Sequence, residues 1–196
     1  MPAPLILAST SPYRRALLER LGLPFEVAAP RVDEAPGPGE TPAQTALRLA
    51  EAKARAVASG RAAGLVLGSD QAADCDGEAI SKPETHVAAA AQLARLSGRT
   101  IVFHTAVALL NVATGRVQRE LVDVASTFRV LGAEEIEAYL RRDRPYDCAG
   151  AVKSEALGIA LFERIQSSDP TALVGLPLIA VARMLRAEGV DAILRG

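Results

Sequence analysis

A chain of 196 residues, about half apolar and about a quarter charged, can bury one sizeable core, which excludes wholesale disorder. Its net charge of −1 supplies no basic field, which argues against non-specific nucleic-acid binding, and no apolar stretch has the length of a membrane span. The start, Met1-Pro2-Ala3-Pro4-Leu5, has no cationic residue before its short apolar run, so no signal peptide is expected and the cytoplasm is the expected compartment.

Leu5-Ile6-Leu7-Ala8 has the composition of a buried strand. Ser11-Pro12 gives an N-cap followed by proline at the first helical position, which predicts a helix to about Leu21, closed by Gly22. Phe25-Glu26-Val27 reads as a second strand, and the proline- and glycine-rich stretch from Ala29 to Glu40 as a loop. Thr41-Pro42 repeats the cap-plus-proline signal before an alanine-rich helix ending near Gly60. Leu65 to Ser69 is a third strand, ended by Asp70 and Gln71. Asp76-Gly77 marks a tight turn, and Thr85 caps a helix to about Leu96 with Gly98 beyond it. Thr100–Val112 and Arg116–Val130 read as two long extended segments joined through Ala113-Thr114-Gly115. Ala133–Arg142 is helical, with glutamates near its start; Ile159–Ile165 reads as a strand, and a last helix runs from near Pro177 to Gly189. No repeat or interdomain linker interrupts residues 1–196, which read as one α/β or α+β domain with a mixed sheet.

Cys75 and Cys148 are far apart in sequence and read as free thiols, and His86 and His104 lack metal-ligand spacing. The 22 cationic residues are 19 arginines and three lysines, Lys53, Lys82 and Lys153. A chain this biased toward arginine has kept lysine where a compact, flexible point charge is wanted.

Two constellations carry chemistry. In the first, Ser9-Thr10-Ser11-Pro12-Tyr13-Arg14-Arg15 follows a strand and opens a helix. Free amides there, with hydroxyls before them, suit phosphate oxygens. Arg14 and Arg15 at the positive end of the helix dipole cost a few tenths to about one kcal/mol each without an anion, and a polyphosphate reverses that sign. A capped helix with solvated arginines fits these residues equally well. In the second, Asp70 ends a strand, with Lys53 on the preceding helix and Lys82-Pro83 after the Asp76-Gly77 turn. Carboxylates and lysines near phosphates suit metal-assisted phosphoryl chemistry, in which Asp70 holds the ion, activates water, or does both. Glu34 offers another carboxylate. An Asx-type turn at Asp70 and solvated lysines are the alternative, and spacing alone leaves both open.

Together these segments resemble the Maf family of nucleotide pyrophosphatases, named for its association with septum formation. The resemblance spans nearly the whole chain: Leu5 to Pro12 with Arg14-Arg15, Val32-Asp33-Glu34, Gly68-Ser69-Asp70, Lys82-Pro83, Cys148-Ala149-Gly150 and Val174-Gly175-Leu176-Pro177-Leu178. It implies a two-lobed, inosine-triphosphatase-like α/β fold around a long mixed sheet, often as a homodimer. It also implies Asp70 as proton acceptor, phosphate roles for Ser9, Ser11, Arg14, Arg15, Lys53 and Lys82, and a divalent metal (Mg²⁺, Mn²⁺ or Co²⁺) on Glu34 and Asp70. The implied reaction is attack of water on the α-phosphorus of a nucleoside triphosphate, releasing pyrophosphate. One departure is Ser81, where the family usually has glycine before Lys-Pro.

Within the family the chain resembles the 7-methyl-GTP pyrophosphatase branch, through Gly68-Ser69-Asp70-Gln71, Lys153-Ser154-Glu155, Leu161-Phe162-Glu163 and Asp169-Pro170. The dTTP/UTP branch typically has threonine after the catalytic aspartate and glutamine in place of Glu155. The resemblance thus gives specificity roles to Tyr13, Gln71 and Glu155. Two alternatives stand beside this reading: a dTTP/UTP pyrophosphatase, and a regulator of division that binds a nucleotide without hydrolysing it.

Overall fold

The structure is a computed structural model describing residues 3–194; Met1 and Pro2, part of the start read as lacking a signal peptide, lie outside the described residues. The strands are β1 (Leu5–Ala8), β2 (Phe25–Ala28), β3 (Leu65–Cys75), β4 (Glu78–Ile80), β5 (Thr100–Asn111), β6 (Val117–Phe128) and β7 (Phe162–Ser167). The helices are α1 (Pro12–Glu19), α2 (Pro42–Ala58), α3 (His86–Leu96), α4 (Ala133–Asp143) and α5 (Leu178–Ala187). The strands form one mixed sheet in the order β2-β1-β3-β5-β6-β7, with β4 added to β3. β1 runs parallel to β2 and β3, and the remaining pairings are antiparallel.

The helix starts follow their caps. Ser11 Oγ accepts the Arg14 amide, and Thr41 and Gln44 form a reciprocal capping box ahead of Pro42. Thr85 Oγ1 accepts the Ala88 amide, and Glu135 Oε2 accepts the Gly132 amide at 3.0 Å. α4 carries Glu134 and Glu135 in its first turn and Arg141 and Arg142 in its last, in keeping with its dipole.

Strand alternation divides the core. Leu5, Leu7, Leu65 and Leu67 point toward Leu17 and Leu18 of α1 and Val181 and Leu185 of α5. Ile6 and Val66 point the other way, to Ala54 and Val57 of α2, whose Ala46 and Ala50 lie on Ala106 and Ala108 of β5. Toward the other end of the same long strands, Ile101, Phe103, Val124 and Phe128 pack under Leu93 and Leu96 of α3 and Ile136 and Leu140 of α4. Two packed lobes therefore share β3, β5 and β6, and the cleft lies at the waist between them.

Three sequence expectations are corrected. β3 does not end at Ser69: it continues to Cys75, so Asp70 and Gln71 sit mid-strand, opposite Ala106 and Thr105. The polar residues that suggested an end face the cleft, while Ala73 and Cys75 keep the buried alternation. β4, absent from the sequence reading, pairs with β3 across the expected Asp76-Gly77 turn. β7 starts at Phe162 rather than Ile159, because residues 157–161 form a 3₁₀ turn. A side chain at Gly158 would meet the Lys153 carbonyl at 2.4 Å, so that turn folds closely back on the segment just before it.

Candidate active site

The cleft measures about 860 Å³, a volume suited to a nucleotide-sized ligand. One wall is the β1–α1 connection. Ser9 is buried and its Oγ accepts the Ser11 amide at 3.1 Å, and Ser11 Oγ in turn accepts the Arg14 amide. Arg14 Nε donates to the Gly175 carbonyl at 2.9 Å, leaving its terminal nitrogens for a ligand. Gly175 sits at φ 119°, a conformation favouring glycine, and its carbonyl also accepts Ser69 Oγ at 3.0 Å. Burial pushes the Arg14 pKa down, opposed by the negative charges of Asp70 and Glu34.

The structure separates the two arginines. Arg14 lines the cleft, whereas Arg15 is 64% exposed at its side chain, pairs with Glu19 at 2.9 Å and does not line the cleft. The sequence contains the signal for this difference. Arg14 is in helical phase with buried Leu17 and Leu18, and Arg15 is about 100° away, in phase with Glu19.

The opposite wall comes from α2 and β3. Lys53 is only 5% exposed and lies in the buried stripe Ala46, Leu49, Ala50, Ala54, Val57. Its Nζ donates to Asp70 Oδ1 at 2.6 Å and pairs with Glu34 Oε1 at 2.8 Å. Gly68 makes this closeness possible: a Cβ there would stand 2.1 Å from the Ala50 carbonyl and 2.7 Å from the Ala54 amide. With no side chain between them, α2 lies against β3, and Lys53 reaches the strand one turn beyond Ala50. The hydrogen bond from Lys53 holds the Glu34 carboxyl below the usual carboxylate range against its partial desolvation, with Lys82 and Arg14 adding to the effect. Lys82, in the loop after β4, is exposed and lines the same cleft.

Ser9, Ser11, Tyr13, Arg14, Glu34, Lys53, Asp70, Gln71, Lys82 and Glu155 thus share one cleft, and Arg15 lies apart. Tyr13 Oη donates to Asp147 Oδ2 at 3.3 Å, and Glu155 is exposed beside Ser154. Lys153 braces Asp147 at 3.5 Å and reaches the carbonyls of Asp143 and Arg144 at the end of α4. Asp147 was missed in the sequence, where nothing distinguishes it from the neighbouring acidic and basic residues. The cysteines are unpaired, and burial pushes the Cys148 thiol up to about 12, which makes it a poor nucleophile at neutral pH.

No group of three or more His, Cys, Asp or Glu side chains gathers into a metal site among the described residues. Asp70 and Glu34 converge on one ammonium, and two carboxylates suit a hard divalent cation that takes its other oxygens from phosphates.

The fold and cleft define an α/β protein with a nucleotide-sized cleft, in which the β1–α1 connection faces a lysine-bridged carboxylate pair. The chain belongs to the Maf family: the family model described as Maf-like protein matches residues 4–188. It is 59% identical over 186 residues to a 7-methyl-GTP pyrophosphatase of Ralstonia nicotianae, covering 95% of this chain and 96% of that relative. Proteins with the same description from Albidiferax ferrireducens and Aromatoleum aromaticum are each 58% identical over 186 residues. Both alignments cover 95% of this chain, and 94% and 96% of those relatives respectively.

Proposed function

We propose that this chain hydrolyses 7-methyl-GTP between the α and β phosphates, releasing 7-methyl-GMP and pyrophosphate. The observation that carries the reaction is the Asp70–Lys53–Glu34 bridge facing the Ser9–Arg14 cradle in one cleft. The substrate follows from the relatives described as 7-methyl-GTP pyrophosphatases. Asp70 accepts a proton from a water molecule whose oxygen attacks the α-phosphorus, while the bond to the α,β-bridging oxygen breaks and pyrophosphate departs. Lys53 orients both carboxylates, and Ser9, Ser11, Arg14 and Lys82 hold phosphate oxygens. A divalent metal, when held by Asp70 and Glu34, supplies charge neutralisation and polarises the phosphoryl oxygens.

N7 methylation makes the guanine ring cationic. The Tyr13 phenol face favours such a ring by roughly 0.5–2 kcal/mol, and the exposed Glu155 carboxylate complements its charge and accepts its N–H donors. The reading includes action as a single domain in the cytoplasm, as a homodimer whose mass in solution tests that part. No described helix is long and apolar enough to cross a membrane. A panel of 7-methyl-GTP, GTP, dTTP and UTP with magnesium, manganese and cobalt, scored for pyrophosphate, tests the whole. Pyrophosphate release fastest from 7-methyl-GTP is expected. Stepwise orthophosphate release refutes the cleavage site, and a dTTP or UTP preference refutes the substrate.

A further inference from the structure

Gln71 has an amide whose direction is settled by its neighbours. Its Nε2 lies 2.8 Å from Thr105 Oγ1, 3.0 Å from the Ala172 carbonyl and 3.1 Å from the Leu173 carbonyl. Thr105 is fully buried, and its own hydroxyl proton goes to the Ala172 carbonyl at 2.9 Å, so it offers Gln71 only a lone pair. Three acceptors surround that end of the amide, and an oxygen there would face three lone pairs. The nitrogen must occupy it. Oε1 is then the other end, on a residue that lines the cleft, with no protein donor reaching it among the described residues.

We propose that Thr105 is a positioning residue for base recognition. Together with the Ala172 and Leu173 carbonyls it locks the Gln71 amide with its oxygen toward the substrate, so that Gln71 selects base edges rich in N–H donors. The inference rests on the 7-methyl-GTP reading and deepens it. A guanine edge offers a ring N–H beside an exocyclic amine, whereas a uracil edge flanks its single N–H with carbonyls. An acceptor-only Gln71, with the Glu155 carboxylate at the same cleft, favours the first and repels part of the second. Thr105 itself does not line the cleft; it acts through Gln71.

The test compares kcat/KM for 7-methyl-GTP and UTP in wild type, Thr105→Val, Thr105→Ser and Gln71→Met. Valine keeps the shape of threonine and removes one of the three acceptors, which weakens the hold on the amide and leaves it on the Ala172 and Leu173 carbonyls alone. The selectivity ratio should fall about tenfold, the worth of one good hydrogen bond, through weaker binding of the methylated nucleotide (a higher KM) rather than a lower kcat. Thr105→Ser, which keeps the hydroxyl, should restore the ratio. Gln71→Met should lose it even if Thr105→Val folds poorly. Equal losses on both nucleotides, or a ratio unchanged in Gln71→Met, overturn the latch. A wild type with no preference for 7-methyl-GTP overturns the substrate reading, and the donor-selecting role of Gln71 falls with it.

Discussion

At the scale of single residues, the cleft rests on a buried ammonium shared by two carboxylates. Asp70→Asn keeps size and polarity but loses basicity and charge. Turnover should drop by about 10²–10⁴-fold with far-UV circular dichroism unchanged, and a variant keeping more than about a tenth of kcat would rule out a general base at Asp70. The two adjacent arginines make a sharper pair. Arg14→Ala removes a half-buried group anchored on Gly175 and should raise KM for every triphosphate, as a charge-assisted hydrogen bond contributes about 1.5–3 kcal/mol. Arg15→Ala removes only an exposed i,i+4 pair with Glu19, so its effect should stay within about 0.5 kcal/mol. Comparable KM changes in the two variants would show that Arg15 swings to the phosphates after all.

At the scale of elements, the contact between α2 and β3 decides where Lys53 sits. Gly68→Ala would drive a Cβ into the Ala50 carbonyl, so helix and strand must separate. Urea denaturation should show a loss of about 3 kcal/mol, with kcat reduced alongside, and a neutral result would mean that α2 shifts freely. The loop from Ala29 to Glu40 is tied to α2 differently. The Glu40 carboxyl is held down to about 2, first by Arg48, then by the Gly37 amide, with Thr45 contributing. A depressed carboxylate stabilises the fold above its ordinary pKa of 4.5 and loses that contribution as pH falls toward about 2. Glu34, lowered by Lys53, acts in the same direction. Melting temperature should therefore fall less steeply below pH 4.5 in Glu40→Gln than in wild type, and parallel curves would disprove the tether.

The same scale shows what was legible. Cap-plus-proline signals at Ser11-Pro12 and Thr41-Pro42 located two helix starts, since capping is a local exchange between a side chain and the next turn. The length of β3 was hidden because Asp70 and Gln71 look like a strand ending, and only the pairing with β5 and β4 explains polar residues in mid-strand. β7 was displaced by three residues because residues 157–161 wind into a 3₁₀ turn whose Gly158 packs back on Val152 and Lys153, a close approach that apolar patterning does not register.

At the scale of the molecule, β3 and β5 pair continuously from Leu65 with Asn111 to Asp74 with Val102, so both lobes hang on one ladder. Unfolding one lobe alone would strip partners from strands belonging to the other. A single cooperative transition is expected, with exposure of buried Cys75 in a Cys148→Ser background coinciding with loss of circular dichroism in urea. Two separated transitions would show that the lobes fold independently.

The sequence by itself determined the buried strand Leu5–Ala8 and the helix starts; it also carried the apolar stripe around Lys53 and the phase that sets Arg14 apart from Arg15, signals that were recognised only with the structure. Each depends on residues within a few turns of one another, where periodicity and capping act. Only the tertiary structure decided that Lys53 bridges Asp70 and Glu34, that Arg14 and Ser69 share the Gly175 carbonyl, and that the Gln71 amide is turned by Thr105 and residues 172–173. Those contacts join positions 17 to 161 residues apart. A hydrogen bond forms within about 3 Å, and which distant groups come that close is set by strand register and by the missing side chain at Gly68.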